Sequence, residues 1–211
     1  MTDKFSSFIK EKIAEGLPGQ EAHFEMSHKL RTYTPATPST AMASSVCILL
    51  FPNSNDSFSF TLMERTSHNK NDKHRGQISL PGGKKEKNDL NASQTALREL
   101  EEEVGVHVSD VELVGELTEL YIPVSNFVVY PFVGITKQKP VYQKQESEVQ
   151  EIFEVDIREL FDVENLKETN IKIAENITLK RVPYFELENR VVWGATAMIL
   201  SEFKSLIKEY L

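Results

Sequence analysis

The chain has 211 residues and a mass of 24.1 kDa, which favours one domain or one domain with a terminal extension. Hydrophobic residues make up 40% and charged residues 27%, a globular composition that excludes disordered and fibrous classes. The formal net charge is −8, so the average field repels nucleic-acid backbones and anionic membranes. A polyanionic small molecule would therefore need a local basic patch or metal ions.

Cysteine content and hydropathy bear on the compartment. A single cysteine, Cys47, excludes an internal disulfide framework and favours a reducing environment. The longest apolar run, residues 46–51, is far shorter than the roughly 20 residues of a membrane-spanning helix. Residues 1–5 contain no apolar signal core. The sequence predicts a cytoplasmic protein without a membrane partner.

The N-terminal 40 residues differ in pattern from the rest. Residues 5–16 carry apolar side chains at helical spacing and end in Gly-Leu-Pro-Gly, which is typical of a helix stop. Pro35 and Pro38 favour an extended segment over residues 32–40. We therefore expect an N-terminal helix and extended segment over residues 1–40, and the main domain over residues 41–211.

The remaining chain predicts strands interrupted by a few helices. Strands are expected at residues 45–51, 57–64, 77–80, 106–120, 127–137 and 149–155, with a hairpin of residues 171–179 and 181–187. Helices are expected at residues 91–104, with Asn91 as the cap and Gly105 after the last turn, at 157–161 and at 193–210. Strands mixed with helices in one polypeptide favour an α/β layered domain.

The helix predicted at residues 91–104 carries the clearest chemical signal. Glu99, Glu102 and Glu103 are spaced i, i+3 and i+4, so their carboxylates are expected on one face, with apolar residues opposite. Mg²⁺ would relieve the repulsion among them, and Arg98 could orient Glu102. A glutamate-rich helix is more often a solvated face. Here the Pro-Gly-Gly turn before the helix, the Val-Gly-Val after it and the apolar stripe favour a positioned helix.

The sequence of residues 82–106, GGKKEKNDLNASQTALRELEEEVGV, resembles the Nudix box. The second half of the box is intact from Arg98 to Val106. Fourteen residues separate Gly83 from Arg98, one more than is usual in the family. As a result Leu90 stands where the spaced glutamate is expected, with Asp89 as the nearest substitute.

Further segments are similar to the Nudix branch that cleaves coenzyme A. They are residues 62–66, 76–83, 147–153 and 192–197. Thr66 stands where this branch has a small residue, and Leu80 stands where it has a phenylalanine. The resemblance spans roughly residues 45–203. It implies a Nudix-type α/β/α sandwich with a mixed central sheet.

The resemblance also implies metal-dependent hydrolysis of a diphosphate. Glu99, Glu102 and Glu103 would hold Mg²⁺ or Mn²⁺, with the Gly83 carbonyl as a further ligand. The general base would be a box glutamate or a carboxylate of a later loop: Glu146, Glu148 or Glu151. Glu148 ranks first by similarity, and solvated charges beside a strand are the alternative.

A cationic stretch stands out in this acidic chain. Arg65, Lys70, Lys73, His74 and Arg75 could hold the 3′-phosphate and diphosphate of coenzyme A, together with Gly82, or form a merely soluble loop. Trp193 and Phe185 could line a substrate pocket, although such aromatic residues more often belong to a core. Cys47 is expected to be a small buried hydrophobic residue.

The leading hypothesis is a coenzyme A diphosphatase that yields 3′,5′-ADP and 4′-phosphopantetheine or its acyl form. A Nudix pyrophosphatase for ADP-ribose, a dinucleotide or a nucleoside triphosphate is the nearest alternative. A ligand-sensing domain without catalysis would be expected to lose box carboxylates, and all three are present. A structural calcium site is disfavoured because calcium loops draw ligands from turn positions. The sequence leaves a homodimer open.

Overall fold

The computed structural model describes residues 1–29, 31, 35–66, 76–174 and 176–211. Within them the chain forms four α-helices and eleven strands. The helices are α1 Thr2–Glu15, α2 Gly19–Glu25, α3 Ala92–Val104 and α4 Gly194–Ile207. The strands are β1 Met42–Pro52, β2 Phe58–Arg65, β3 Ile78–Ser79, β4 Gly82–Lys84, β5 Val111–Glu116, β6 Leu120–Ile122, β7 Phe127–Thr136, β8 Val149–Asp156, β9 Leu166–Ala174, β10 Ile177–Leu187 and β11 Arg190–Trp193. No helix in these ranges is long and apolar enough to cross a membrane.

A mixed eight-stranded sheet forms the centre of the molecule. Its main path runs β3-β2-β1-β7-β5, with β4 also paired to β1, β6 to β7 and β8 to β2. The strands β1 and β7 run parallel, and the other pairs in this sheet are antiparallel. The predicted mixed central sheet is confirmed. A separate three-stranded antiparallel sheet has the order β11-β10-β9.

Helices cover both faces of the central sheet. The side chains of β1 alternate between these faces, so each face carries its own apolar cluster. Cys47 and Leu49 pack with Leu100 of α3 on one face. Ile48 and Leu50 point to the larger cluster on the other face, which contains apolar residues of α1 and α4. This arrangement confirms the predicted α/β/α sandwich.

The N-terminal segment packs on this same larger cluster, to which Phe5 and Ile9 of α1 contribute. The helix predicted at residues 5–16 is confirmed by α1. The sequence missed α2, which starts only three residues after Gly16. Pro18 caps α2, and proline is tolerated at the start of a helix because its missing N–H needs no partner there. The same Gly-Leu-Pro-Gly stretch therefore ends one helix and begins the next.

One continuous strand over residues 106–120 was the wrong prediction. The segment begins with a short 3-10 helix, Val108–Asp110, in which the His107 side chain accepts a hydrogen bond from the Ser109 N–H at 3.2 Å. Only then does β5 start, and it ends at Glu116 so that the chain can turn into β6. Local side-chain hydrogen bonding thus overrides the strand pattern at its start.

The predicted hairpin exists, but its turn is displaced. The turn lies between β9 and β10, before Ile177, and not near Lys180. Lys180 and Arg181 instead lie at an irregularity within β10, where Arg181 has φ +56° and the pairing register shifts. A β-bulge explains the break in alternation that resembled a turn.

Candidate active site

The box helix α3 is fixed at both ends. The Asn91 side chain accepts a hydrogen bond from the Gln94 N–H at 2.9 Å, as the sequence predicted, and Gly105 ends the helix in the left-handed conformation. Leu100 and Val104 are fully buried against the sheet. This packing orients the carboxylate side of the helix toward β4.

Two glycines of β4 make room for these carboxylates. A Cβ on Gly83 would lie 2.5 Å from the carboxyl carbon of Glu99, so the carboxylate packs directly against the backbone. Gly82 has φ +153°, and a Cβ there would lie 2.2 Å from the carbonyl oxygen of Ser45. Neither position accommodates a side chain without a shift of its neighbours.

Glu103 is the most deeply placed carboxylate of the box, with 1% of the residue exposed. One of its oxygens accepts a hydrogen bond from the Gly82 N–H at 2.7 Å, and the other lies 3.1 Å from Nη1 of Arg65. Burial raises the pKa of Glu103 to about 7, against the lowering effects of Arg65 and the Gly82 N–H. The nearby charges of Glu99 and Glu148 raise this pKa further.

Glu99 and Glu102 have different environments although both contact Arg98. Glu99 lies 2.9 Å from Nη1 of Arg98, and burial raises its pKa, with added repulsion from Glu102 and Glu148. The Glu102 side chain is 56% exposed and accepts a hydrogen bond from the same nitrogen at 2.7 Å. Glu99 and Glu103 therefore face the strand β4, whereas Glu102 lies toward solvent and is oriented by Arg98.

Asp89, the acid nearest to the counted position of the box, is bound by Arg98. Its two oxygens accept hydrogen bonds from Nε and Nη2 of Arg98, each at 3.0 Å, and a further one from Thr95. These contacts, those from Arg98 first, hold the pKa of Asp89 well below its usual range. Leu90, where the count from Arg98 places the acid, is 85% exposed. The buried acid that pairs with Arg98 is thus Asp89, one position before the counted one.

The three predicted base candidates outside the box separate clearly. Glu148 lies close enough to Glu99 and Glu103 to raise the pKa of both. Glu146 forms an exposed ion pair with Lys144, and Glu151 pairs with Arg190. Glu148 thus lies within electrostatic range of the two box carboxylates, and the other two candidates lie in surface ion pairs.

Residues predicted to bind substrate are described only in part. Lys70, Lys73, His74 and Arg75 lie outside the described residues. Arg65 ends β2 and contacts Glu103, and Gly82 uses its N–H on the same carboxylate.

The structure also shows where the remaining residues singled out in the sequence lie. Phe185 is a buried core residue, and Trp193 caps the start of α4. Cys47 is fully buried, as expected, and burial raises its thiol pKa to about 12.

The donor set around β4 fits a hard divalent cation. It consists of oxygen ligands, and a cation would offset both the burial of the charge, which is the main cause of the raised pKa values of Glu99 and Glu103, and the repulsion from nearby carboxylates, which adds to it. In the described ranges, no three Asp, Glu, His or Cys side chains are gathered closely enough to coordinate one ion as they stand. Glu102, whose exposed side chain lies toward Arg98, would complete the set of oxygen ligands with Glu99 and Glu103.

Comparison with known proteins identifies the family. Residues 42–178 match the family model described as the NUDIX domain. The chain belongs to the Nudix family. This membership confirms the predicted family and the predicted class of enzyme, a Nudix pyrophosphatase.

Similar relatives agree with this membership. The Nudix chain is 34% identical over 137 residues to "Uncharacterized Nudix hydrolase NudL" of Pectobacterium atrosepticum, covering 65% of this chain and 70% of that relative. It is 35% identical over 128 residues to a protein of the same name from Yersinia pestis, covering 61% of this chain and 63% of that relative. The match thus spans about two thirds of the relatives' length.

Solved structures support the fold. The Nudix hydrolase RenU of M. smegmatis superimposes with a TM-score of 0.55 at 11% identity, covering 81% of this chain and 88% of that one. A MutT/nudix family protein from Enterococcus faecalis gives a TM-score of 0.50 at 16% identity, covering 85% of this chain and 66% of that one.

Proposed function

We propose that this Nudix chain hydrolyses the diphosphate of coenzyme A or acyl-coenzyme A in a metal-dependent reaction. The products would be 3′,5′-ADP and 4′-phosphopantetheine or its acyl form. The observation that carries the proposal is the buried carboxylate of Glu103, held by Gly82 and Arg65 and faced by Glu99 and Glu148. A carboxylate whose pKa is perturbed by burial and by two like charges is typical of a functional site.

Glu99, Glu102 and Glu103 would hold Mg²⁺ or Mn²⁺, with the Gly83 carbonyl as a further ligand. Bound there, a divalent cation would neutralise diphosphate oxygens and lower the pKa of a coordinated water. Arg98 orients Glu102, and Asp89 fixes Arg98 through two hydrogen bonds. Arg98 is thus assigned an indirect part in catalysis, through the ligand that it orients.

Glu148 is proposed as the general base. It lies within electrostatic range of Glu99 and Glu103, and its backbone carbonyl accepts a hydrogen bond from the Thr66 N–H at 2.8 Å. Its own side chain is exposed, so it could accept a proton from an attacking water and pass it to solvent. The two other candidates, Glu146 and Glu151, are held in ion pairs with Lys144 and Arg190.

The choice of coenzyme A rests on sequence similarity and on charge. The segments 62–66, 76–83, 147–153 and 192–197 resemble the coenzyme A branch. Arg65 and the N–H of Gly82 both contact Glu103, and Lys70, Lys73 and Arg75 follow Arg65 in sequence as candidate cations for a 3′-phosphate. Activity on ADP-ribose or another nucleoside diphosphate derivative remains the alternative. A cytoplasmic location, a homodimer and a catalytic domain over residues 41–211 stay predictions.

A substrate panel tests the proposal. Coenzyme A, 3′-dephospho-coenzyme A and ADP-ribose are incubated at one fixed Mg²⁺ concentration with the wild type and with Glu103→Gln. The proposal expects the highest kcat/KM for coenzyme A and no turnover by the variant. Equal kcat/KM for coenzyme A and its 3′-dephospho form would contradict the coenzyme A assignment, and preference for ADP-ribose would favour the alternative.

A further inference from the structure

Two adjacent serines of β1 differ in their hydrogen bonding. The Ser44 hydroxyl donates to the Val128 carbonyl oxygen at 3.3 Å. Ser45 is also buried, with 1% of the residue exposed, but its hydroxyl finds no hydrogen-bond partner in the described part of the protein. A buried polar group without a partner costs about 1–3 kcal/mol, so its presence in a packed strand calls for a reason.

The pairing of the strands places Ser45 beneath the box carboxylates. Ser45 lies opposite Gly83 in the antiparallel β1–β4 pair, and opposite residues extend to the same face with Cβ atoms about 4.5–5.5 Å apart. The Cβ direction of Gly83 points at the Glu99 carboxylate. Cys47, two residues along β1, packs beneath α3 on that face. Ser45 therefore extends from the sheet toward Glu99.

The chemistry of the position changes along this row of β1. Cys47 and Leu49 contact apolar residues of α3, whereas Ser45 comes where α3 presents carboxylates. A serine hydroxyl can rotate among three staggered positions without backbone movement. It can donate a hydrogen bond to a carboxylate, and such charge-assisted bonds are the stronger class.

We propose that Ser45 is a positioning residue of the site: its hydroxyl, which has no partner among the described residues, would rotate to donate to the Glu99 carboxylate and hold it in the orientation that binds a metal. The inference rests on the proposed function, because it takes Glu99 as a metal ligand. Groups that orient metal ligands typically contribute 10–100-fold to metal affinity or activity. Ser45 would act through Glu99 and not by contact with substrate, since the serine itself is sealed from solvent.

Mn²⁺ binding to the full chain without substrate tests this role. Free Mn²⁺ is counted by electron paramagnetic resonance for the wild type, Ser45→Ala, Ser45→Thr and the matched control Ser44→Ala. Ser45→Ala is expected to weaken Mn²⁺ affinity about tenfold and to lower kcat more than it changes KM. Its melting temperature should not fall, because the removed hydroxyl makes no bond within the fold. Ser45→Thr keeps the hydroxyl and should restore most of the affinity.

The control and a second background make the outcome decisive. Ser44→Ala should keep the wild-type Mn²⁺ affinity, and Ser45→Ala should have no further effect in a Glu99→Gln background. Wild-type Mn²⁺ affinity in Ser45→Ala, or equal losses in both alanine variants, would overturn the role of Ser45. A wild type that binds Mn²⁺ but cleaves no coenzyme A would overturn the proposed substrate alone and leave this measurement valid.

Discussion

Two buried glutamates, Glu202 and Glu103, lie on opposite sides of the central sheet, and their partners determine the direction in which the pKa of each is shifted. Glu202 of α4 is fully buried, and it accepts hydrogen bonds from the Gly19 N–H at 3.1 Å and from the N–H and hydroxyl of Thr118. Its other close partner is Nε2 of His23, at 3.0 Å. Burial acts to raise the pKa of Glu202, but the hydrogen bonds from His23 and Thr118 outweigh it and lower the pKa.

Glu103 of α3 is buried to the same degree, and its pKa moves in the opposite direction. It has one backbone donor and one arginine, and two further carboxylates lie nearby. The fold surrounds Glu202 with donors that hold α2 and the β5–β6 connection against α4. It leaves Glu103 with an excess of negative charge that a cation would relieve. Burial alone therefore does not indicate a functional carboxylate, whereas burial among like charges is typical of functional sites.

Glu103→Gln should produce the largest effect on activity. The amide keeps the shape but removes the charge assigned to metal binding, so kcat should fall more than about a thousandfold, or roughly 4 kcal/mol of transition-state stabilisation. The folded state should persist, as judged by the melting temperature without metal. A variant that retains metal-dependent turnover would contradict the assignment of Glu103.

Glu202→Gln should lower stability and leave activity nearly unchanged, which is the opposite of the effect expected for Glu103→Gln. Its amide nitrogen would meet the donors of Gly19 and Thr118, and the free energy of unfolding should fall by about 3 kcal/mol, as for other broken buried pairs. Urea unfolding measures this loss. The kcat of the folded variant should stay within about twofold of wild type, and a large drop in kcat at unchanged stability would erase the contrast with Glu103.

Asp89→Asn tests the support beneath the site. Removing the charge that binds Arg98 bidentately should lower the free energy of unfolding by about 2 kcal/mol and kcat about tenfold. Leu90→Glu is the matched control, since an acid at that exposed position should change neither quantity. If Leu90→Glu rescued Asp89→Asn, the exposed position would be the one that carries the function.

The raised pKa of Glu103 should make the stability of the metal-free protein depend on pH. Because the pKa of Glu103 is raised to about 7, the folded state holds a proton that the unfolded state has lost between about pH 4.5 and 7. The contribution of Glu103 to stability is thus complete below pH 4.5 and is lost as the pH rises through 7, with on the order of 2 kcal/mol of the loss falling between pH 5 and 7. Urea unfolding in EDTA at pH 5 and 7.5 should show this loss for the wild type and a smaller one for Glu103→Gln. Equal pH slopes for the two proteins would exclude a raised pKa.

Local patterns made the box helix predictable. The cap at Asn91 and the apolar stripe of α3 are short-range signals, and the structure confirms both; the glutamate spacing brings Glu99 and Glu103 toward β4 but leaves Glu102 toward solvent. The pairing of Asp89 with Arg98 was open in the sequence, because the extra loop residue placed Leu90 at the counted position. The structure shows that Leu90 is exposed and that Asp89 is buried and pairs with Arg98. The sequence could not show this, because burial depends on the fold of the whole loop.

Long-range partners explain what the sequence could not reveal. Glu202 and Thr118 are 84 residues apart, so the buried network shows in sequence only as one acid within the apolar helix α4. The proximity of Glu148 to Glu103 likewise follows from the pairing of β8 with β2. The unpartnered hydroxyl of Ser45 depends on which face of β1 meets α3, and sequence alternation alone does not assign that face.

Mass spectrometry of the products formed from coenzyme A and Mg²⁺ in ¹⁸O-labelled water shows whether the protein cleaves the diphosphate by attack of water. The wild type should yield 3′,5′-ADP and 4′-phosphopantetheine, with one ¹⁸O in one of the two products, and Glu103→Gln should yield neither. Intact coenzyme A after incubation with folded, Mg²⁺-loaded wild type, or the same products from both proteins, would contradict the proposed function.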